Sequence, residues 1–148
     1  MASGFPAATE RLRRAQARLG ARALEVALDR DPTMRDRHGV IGLRKLLRDT
    51  ETLVDRLGIA VASNDPFTIG AWAEWVVPIY RRRKVPMDDL ILLCEGLRLA
   101  VRAVLAPDER TIADAALDEG VRVFRWHRRI AGDARKRNRL LALLYKGA

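Results

Sequence analysis

The amino-acid sequence predicts an all-α fold, either a helical bundle or a globin-like packing of five to seven helices that ends in a long C-terminal helix. Apolar residues recur every three or four positions along five segments, as they do on the buried face of an amphipathic helix. No segment keeps the alternation of apolar and polar residues that is typical of a half-buried strand.

Length and composition set the organisation of the chain. Its 148 residues fit one domain, and a hydrophobic share of 49% is enough for a single core. We expect residues 1–8 to be a flexible N-terminus and residues 9–148 to form one helical domain. The single cysteine, Cys94, excludes a disulfide within the chain. No signal-peptide pattern and no apolar run near the ~18 residues of a membrane span occur, which predicts a cytoplasmic protein without membrane contact.

The first two predicted helices precede residue 63. The first covers residues 9–29, with Thr9 placed to act as its N-cap. Asp31-Pro32 ends it, because the residue before a proline is pushed out of the helical region. The second covers residues 40–62, and a polar turn separates the two.

The third predicted helix begins at Asp65 and Pro66, a capping residue followed by the residue that best suits a first helical turn. Pro78 falls inside its apolar pattern. We expect a kink or break near Trp75, because a proline removes one backbone hydrogen bond and crowds the preceding turn. A basic run at residues 81–84 suits the negative end of the helix dipole.

The fourth predicted helix begins at Pro86, and Pro107 limits its end. Asp88 and Asp89 in its first turn suit the positive end of the dipole. Its leucine-rich pattern is broad, so we expect this helix to be the most buried, with Cys94 as a thiol of the core.

The last predicted helix runs from residue 107 to residue 146, either unbroken or divided at Gly132, with Gly147 as its C-cap. The net charge of the chain is +9, and the most lopsided basic stretch lies on this helix. The basic face comprises Arg122, Arg125, Arg128, Arg129, Arg135, Lys136, Arg137 and Arg139. It is interpreted as a solvated helix face, or as a surface for an acidic protein partner or a phosphate backbone.

The polar residues form no catalytic or metal-binding pattern. His38 lies in the polar turn before the second helix, where we expect it to be solvated, and no second histidine stands at ligand spacing. His127 lies near the apolar face of the last helix, as a partly buried histidine with a hydrogen-bond partner or, alternatively, as a haem ligand. Nucleophile elbows and phosphate-binding glycine loops are absent. We therefore predict a non-enzymatic protein without cofactor or metal.

The tryptophans are the remaining candidates for a site. Trp72 and Trp75 lie three residues apart, and we expect them to lie together, either in the core or at a dimer seam or apolar pocket. The predicted ligand or partner face comprises Trp72, Trp75, Val76, Tyr80 and Trp126.

Residues 67–105 carry a family resemblance. A helix with Trp-Ala-Glu-Trp at 72–75 precedes a basic turn, Arg-Lys-Val-Pro at 83–86, and then Met-Asp-Asp-Leu at 87–90, which opens a leucine-rich helix. This order resembles the N-terminal sensor domains of RsbR-type co-antagonists of stress signalling. The resemblance implies a globin-like fold without haem, a homodimer, and a long last helix that leads to an output domain. No output domain follows Ala148 in this sequence, so we expect a sensor fragment or a stand-alone relative.

These observations favour a non-enzymatic helical sensor or protein-interaction module in bacterial stress or regulatory signalling. We expect it to be a homodimer with a protein partner or an output domain. The alternative is a nucleic-acid-binding accessory protein that uses the basic C-terminal helix, and a third hypothesis is a carrier of an apolar ligand.

Overall fold

The computed structural model describes the backbone of residues 3–137 and the side chains of residues 3–130. This part of the chain is all-helical and contains no strand, which confirms the predicted fold class; the globin-like packing stays a prediction. None of the described helices is both long and apolar enough to cross a membrane. The helices are α1 (Pro6–Arg14), α2 (Gln16–Arg30), α3 (Met34–Ser63), α4 (Phe67–Arg82), α5 (Met87–Ala100) and α6 (Pro107–Arg137), with a 3₁₀ turn (Val101–Ala103) after α5.

The predicted first helix is in fact two helices, because the backbone at Ala15 departs from helical geometry (φ −97°, ψ 8°). α1 begins at Pro6, since a proline suits the first helical turn, so residues 6–8 of the predicted flexible N-terminus are helical. Thr9 is therefore not the N-cap. Its hydroxyl donates a hydrogen bond to the Gly58 carbonyl at 2.6 Å, which ties α1 to α3, and the break lets α2 pack between α3 and α5.

α3 consists of two helical segments joined by a kink at Gly39 (φ 67°, ψ −178°), so the helix predicted from residue 40 begins as expected, and an additional short segment from Met34 precedes it. Glycine adopts this positive φ without the steric cost that a Cβ would bring. The polar turn that was predicted around His38 is consequently part of the first turns of α3. Asp31 follows the end of α2, as the Asp-Pro pair predicted.

α4 runs without interruption through Pro78, so the predicted break near Trp75 is wrong. Pro78 faces solvent, where water can satisfy the backbone carbonyl that the proline leaves without a donor. At the start of α4, an oxygen of the Asp65 carboxylate accepts the Phe67 N–H at 3.0 Å, in keeping with its predicted capping role.

The C-terminus of α4 is closed by backbone hydrogen bonds that require a left-handed residue. The Val85 N–H donates to the Tyr80 carbonyl at 2.9 Å, and the Lys84 N–H donates to the Arg81 carbonyl at 3.0 Å. This is the Schellman pattern, in which the C-cap, here Arg83, is followed by a residue that is usually glycine. Lys84 holds that position with φ 59°.

α5 and α6 begin where their prolines predicted. α5 starts at Met87 after Pro86, and α6 starts at Pro107 and continues through Gly132 to Arg137. The unbroken-helix prediction is therefore correct as far as Arg137. Residues 138–148, with the predicted C-cap at position 147, lie outside the described residues.

One apolar core joins all six described helices. α2 and α5 approach each other so closely that a Cβ on Gly96 would lie 2.2 Å from the carbonyl oxygen of Ala23. The absence of a side chain at position 96 therefore sets the distance between these two helices. The largest fully buried side chains include Phe124, Leu12, Met34, Leu46, Leu53, Leu57, Ile69, Met87, Leu97 and Leu117.

Gly96→Ala is expected to lower the free energy of unfolding by about 2–3 kcal/mol, because the new methyl group would meet backbone that cannot rotate away. Urea denaturation followed by circular dichroism measures the change. The matched control is Gly70→Ala, whose Cβ would meet the Glu119 Cβ at an ordinary 3.5 Å. That variant should be neutral or gain up to about 1 kcal/mol of helix propensity, and equal losses in both variants would refute the close-approach argument.

Lys84→Gly is expected to raise the free energy of unfolding by about 1 kcal/mol, because glycine adopts a left-handed φ without steric cost. Lys84→Ala removes the same ammonium group but keeps the Cβ. It should show no such gain in the same denaturation experiment, and a gain in both variants would assign the effect to charge instead of backbone strain.

Candidate functional site

A groove beside α5 and α6 brings together five residues that the sequence singled out. Its walls carry four arginines of the basic face, together with Trp126, and it encloses about 840 Å³. The four arginines are Arg122, Arg125, Arg128 and Arg129. We refer to this feature as the α6 groove. The side chains of the other predicted basic residues, Arg135, Lys136, Arg137 and Arg139, lie outside the described part of the structure.

Groups of this chain already engage most of the arginines in the α6 groove. Arg122 donates to the Glu119 carboxylate at 3.0 Å, and Arg128 donates to Asp88. The guanidinium of Arg129 lies 4.7 Å from the centroid of the Trp126 ring, in cation–π geometry.

The α6 groove is also mixed in charge. Arg125 makes no ion pair with the described residues, whereas Glu95 and Asp118 line the groove and both accept hydrogen bonds from Arg98. Two carboxylates in the wall reduce the positive potential that a phosphate backbone would meet.

The predicted partner face does not form one surface. Val76 and Tyr80 are buried, and Trp72 packs edge-on against Phe124 with ring centroids 6.2 Å apart. Trp75 is 69% exposed. Three positions along a helix leave two side chains roughly 60° apart, so Trp75 lies just outside the buried face on which Trp72 meets Phe124 of α6.

α4 instead exposes a second apolar stripe that the sequence analysis missed. Phe67 is 66% exposed, and Ala71, Trp75 and Pro78 continue along the same line at helical spacing. We call these four residues the α4 stripe. The signal was present in the sequence, because α4 is apolar nearly all round, which is typical of a helix that is covered on more than one side.

The sequence predicted only a helix-dipole role for Asp89, but its carboxylate is buried and accepts several hydrogen bonds. Asp89 is 1% exposed and accepts hydrogen bonds from the Arg37 Nη2 at 2.8 Å and from the His38 Nε2 at 2.6 Å. His38, predicted to be solvated, is 7% exposed on its side chain. The hydrogen bond from Arg37 to Asp89 raises the pKa of the Arg37 guanidinium above its ordinary value. Asp89 therefore does more than complement a helix dipole, since it joins α5 to the start of α3.

His127 joins α4 to α6. The Arg81 guanidinium donates to the Nδ1 of His127 at 2.9 Å, and the Nε2 lies 2.9 Å from the Glu74 carboxylate. Arginine has no acceptor, so Nδ1 carries the lone pair and Nε2 carries the proton that is donated to Glu74. The ring is thus engaged on both sides by hydrogen bonds.

The described residues contain no group of three or more His, Cys, Asp or Glu side chains that would hold a metal ion. Cys94 is buried, and burial raises the pKa of its thiol to about 12. A neutral, enclosed thiol is a weak nucleophile.

Cys94 is expected to resist a thiol reagent in the folded protein at pH 8 and to react fully in denaturant. Because its folded pKa lies above the unfolded value of about 8.5, the buried thiol stabilises the fold below that pH. This contribution should be lost as the pH rises toward 12. The reaction is followed by absorbance with a disulfide reagent, and rapid labelling of the native protein would show that the thiol is accessible.

No family model, no curated protein and no solved structure matches this chain.

Proposed function

We propose that this chain is a cytoplasmic, non-catalytic protein-interaction module that pairs with a second copy of itself through the α4 stripe. The observation that carries the proposal is the exposure of Phe67 and Trp75, 66% and 69%, on one line of a helix whose other side is buried in the core. A contiguous row of exposed apolar side chains is typical of a contact site, and tryptophan is prominent among residues that dominate binding energy.

The spacing of the α4 stripe suits an antiparallel pairing of two α4 helices. A two-fold axis near the middle of the stripe would set Trp75 of one copy against Ala71 of the other, and Phe67 against Pro78. Large residues would then meet small or flat ones along roughly 17 Å of helix. The same residue pairs would be made twice, as a two-fold symmetric contact requires.

Charges at the two ends of the stripe favour the same arrangement. Asp65 precedes α4 and Arg82 ends it, and both are exposed. An antiparallel pairing would set Asp65 of one copy beside Arg82 of the other at both ends, whereas a parallel pairing would set like charges together. The dipoles of the two helices would also oppose each other favourably.

The inner side of α4 connects the stripe to α6. Trp72 packs on Phe124, and His127 holds Arg81 and Glu74, so α4 is attached to α6 by both packing and hydrogen bonds. A shift of α4 on association would therefore change the position of α6. This supports a sensor role like that of the RsbR-type domains, in which the last helix leads to an output.

The α6 groove gives less support to the nucleic-acid alternative. Nucleic-acid sites are predominantly basic, because much of their affinity comes from release of the counterions around each phosphate. The carboxylates of Glu95 and Asp118 in the groove wall and the engaged arginines fit a mixed-charge protein segment better.

Trp75→Glu is expected to convert a concentration-dependent dimer into a monomer. The stripe is small for a protein interface, so we expect a dissociation constant on the order of 10 µM for the unaltered protein. Analytical ultracentrifugation across the micromolar range measures it. The matched control is Trp126→Glu, which places the same charge at another exposed tryptophan and should leave the dimer unchanged.

Charge reversal tests the orientation of the pairing. Asp65→Arg or Arg82→Glu alone should weaken association, and the two together should restore it. Circular dichroism controls for loss of the Asp65 cap. A monomer at all concentrations, or a dimer indifferent to Trp75→Glu, would refute the proposed pairing.

A further inference from the structure

A basic cleft lies between the first half of α3 and the turn that joins α4 to α5. Its walls carry Arg37, His38 and Lys45 from α3 and Arg83 and Lys84 from the turn. The cleft encloses about 330 Å³, and no carboxylate is among the described residues that line it. A volume of this order suits a small molecule.

Two arginines of the basic cleft are held in place by carboxylates that lie outside its lining. Arg37 donates to Asp89 at 2.8 Å and to Asp31 at 2.9 Å, and Arg83 donates to Asp49 at 2.8 Å. Both guanidinium groups are therefore positioned before any ligand arrives. A donor that is already ordered loses less side-chain entropy when a ligand binds.

Two lysines supply charge that the described residues of the chain do not neutralise. Lys45 and Lys84 are exposed, and neither makes an ion pair with a described residue. Lys84 also occupies a left-handed position, φ 59°, that glycine would hold without strain. An ammonium group is thus kept at the edge of the cleft at a cost in stability, which is a pattern of functional sites.

We propose that the basic cleft binds a small anion that carries two or more phosphate groups. Arg83 uses only its Nη1 on Asp49 among the described residues, so its remaining N–H groups can donate to phosphate oxygens, whereas Arg37 has all three nitrogens engaged by Asp89, Asp31 and Thr33 and forms a fixed wall. The ammonium groups of Lys45 and Lys84 act on the anion as point charges. Asp31, Asp89 and Asp49 offset the charge of the two arginines, so Lys45 and Lys84 supply the unpaired positive charge of the cleft. Two such ammonium groups favour an anion with at least two phosphate groups.

The basic cleft is separate from the proposed dimer contact. None of the residues that line the cleft belongs to the α4 stripe or to the α6 groove. The two proposals can therefore fail separately: Trp75→Glu should abolish association and leave anion binding intact.

Isothermal titration of the full chain with inorganic tripolyphosphate, at physiological ionic strength, tests the cleft. The double variant Lys45→Gln/Lys84→Gln should raise the dissociation constant by about tenfold or more, which is the loss of at least one charge-assisted contact. The matched control, Arg56→Gln/Arg102→Gln, removes two exposed charges outside the cleft. It should change the dissociation constant by no more than about twofold, because distant surface charges are screened by salt.

Lys84→Gly gives a readout that a purely structural role cannot produce. The variant should raise the melting temperature without ligand and yet weaken tripolyphosphate binding, so stability and affinity should move in opposite directions. No binding to the unaltered protein, or equal losses in the two double variants, would overturn the proposal. Tighter binding of a single-stranded oligonucleotide that competes with tripolyphosphate would overturn it as well, in favour of a nucleic-acid surface.

Discussion

A buried carboxylate with three donors ties the first half of the chain to the second. Asp89 is almost fully enclosed, and a buried charge is tolerated only when partners satisfy it. Those partners, Arg37 and His38, directly precede the left-handed Gly39, which turns the backbone so that α3 can continue along the bundle. Asp89 thereby joins α5 to the start of α3 and to the two residues, Arg37 and His38, that this part of α3 contributes to the basic cleft. Removing this carboxylate would leave a cation half-buried between α3 and α5.

The sequence predicted the elements whose boundaries are set by local chemistry. Pro86 and Pro107 mark the starts of α5 and α6, and Asp31-Pro32 marks the end of α2, because a proline restricts its own backbone and that of its neighbour. The break at Ala15 has no such signal. It follows from packing, since α1 lies on the end of α3 while α2 must turn toward α5. Tertiary contacts of this kind override local propensity and are not readable from one segment.

The candidate sites, too, were predictable where they depend on spacing along one helix and not where they depend on tertiary packing. The helical spacing of the arginines predicted that Arg122, Arg125 and Arg129 would share a surface, and they do line one groove. The environment of His38 could not be predicted, because its partner lies 51 positions away in the sequence. Trp72 and Trp75 were predicted to lie together because they are three residues apart on one helix. Which of the two is covered depends on where α6 packs, and that is a property of the whole fold.

Three features of this chain lower its stability without an evident gain in packing, and all three lie near α4. Phe67 and Trp75 leave large aromatic surfaces in water, and Lys84 holds a backbone conformation that suits glycine. Selection for folding alone would replace each of them, since such substitutions are easy to find and stabilise the protein. Residues that lower stability within an otherwise well-packed fold are characteristic of binding sites. The exposed aromatics lie on the outer face of α4 and the strained lysine at its end, while its inner face is attached to α6 through Trp72 and His127. α4 therefore connects the proposed contact surface to α6 and the core.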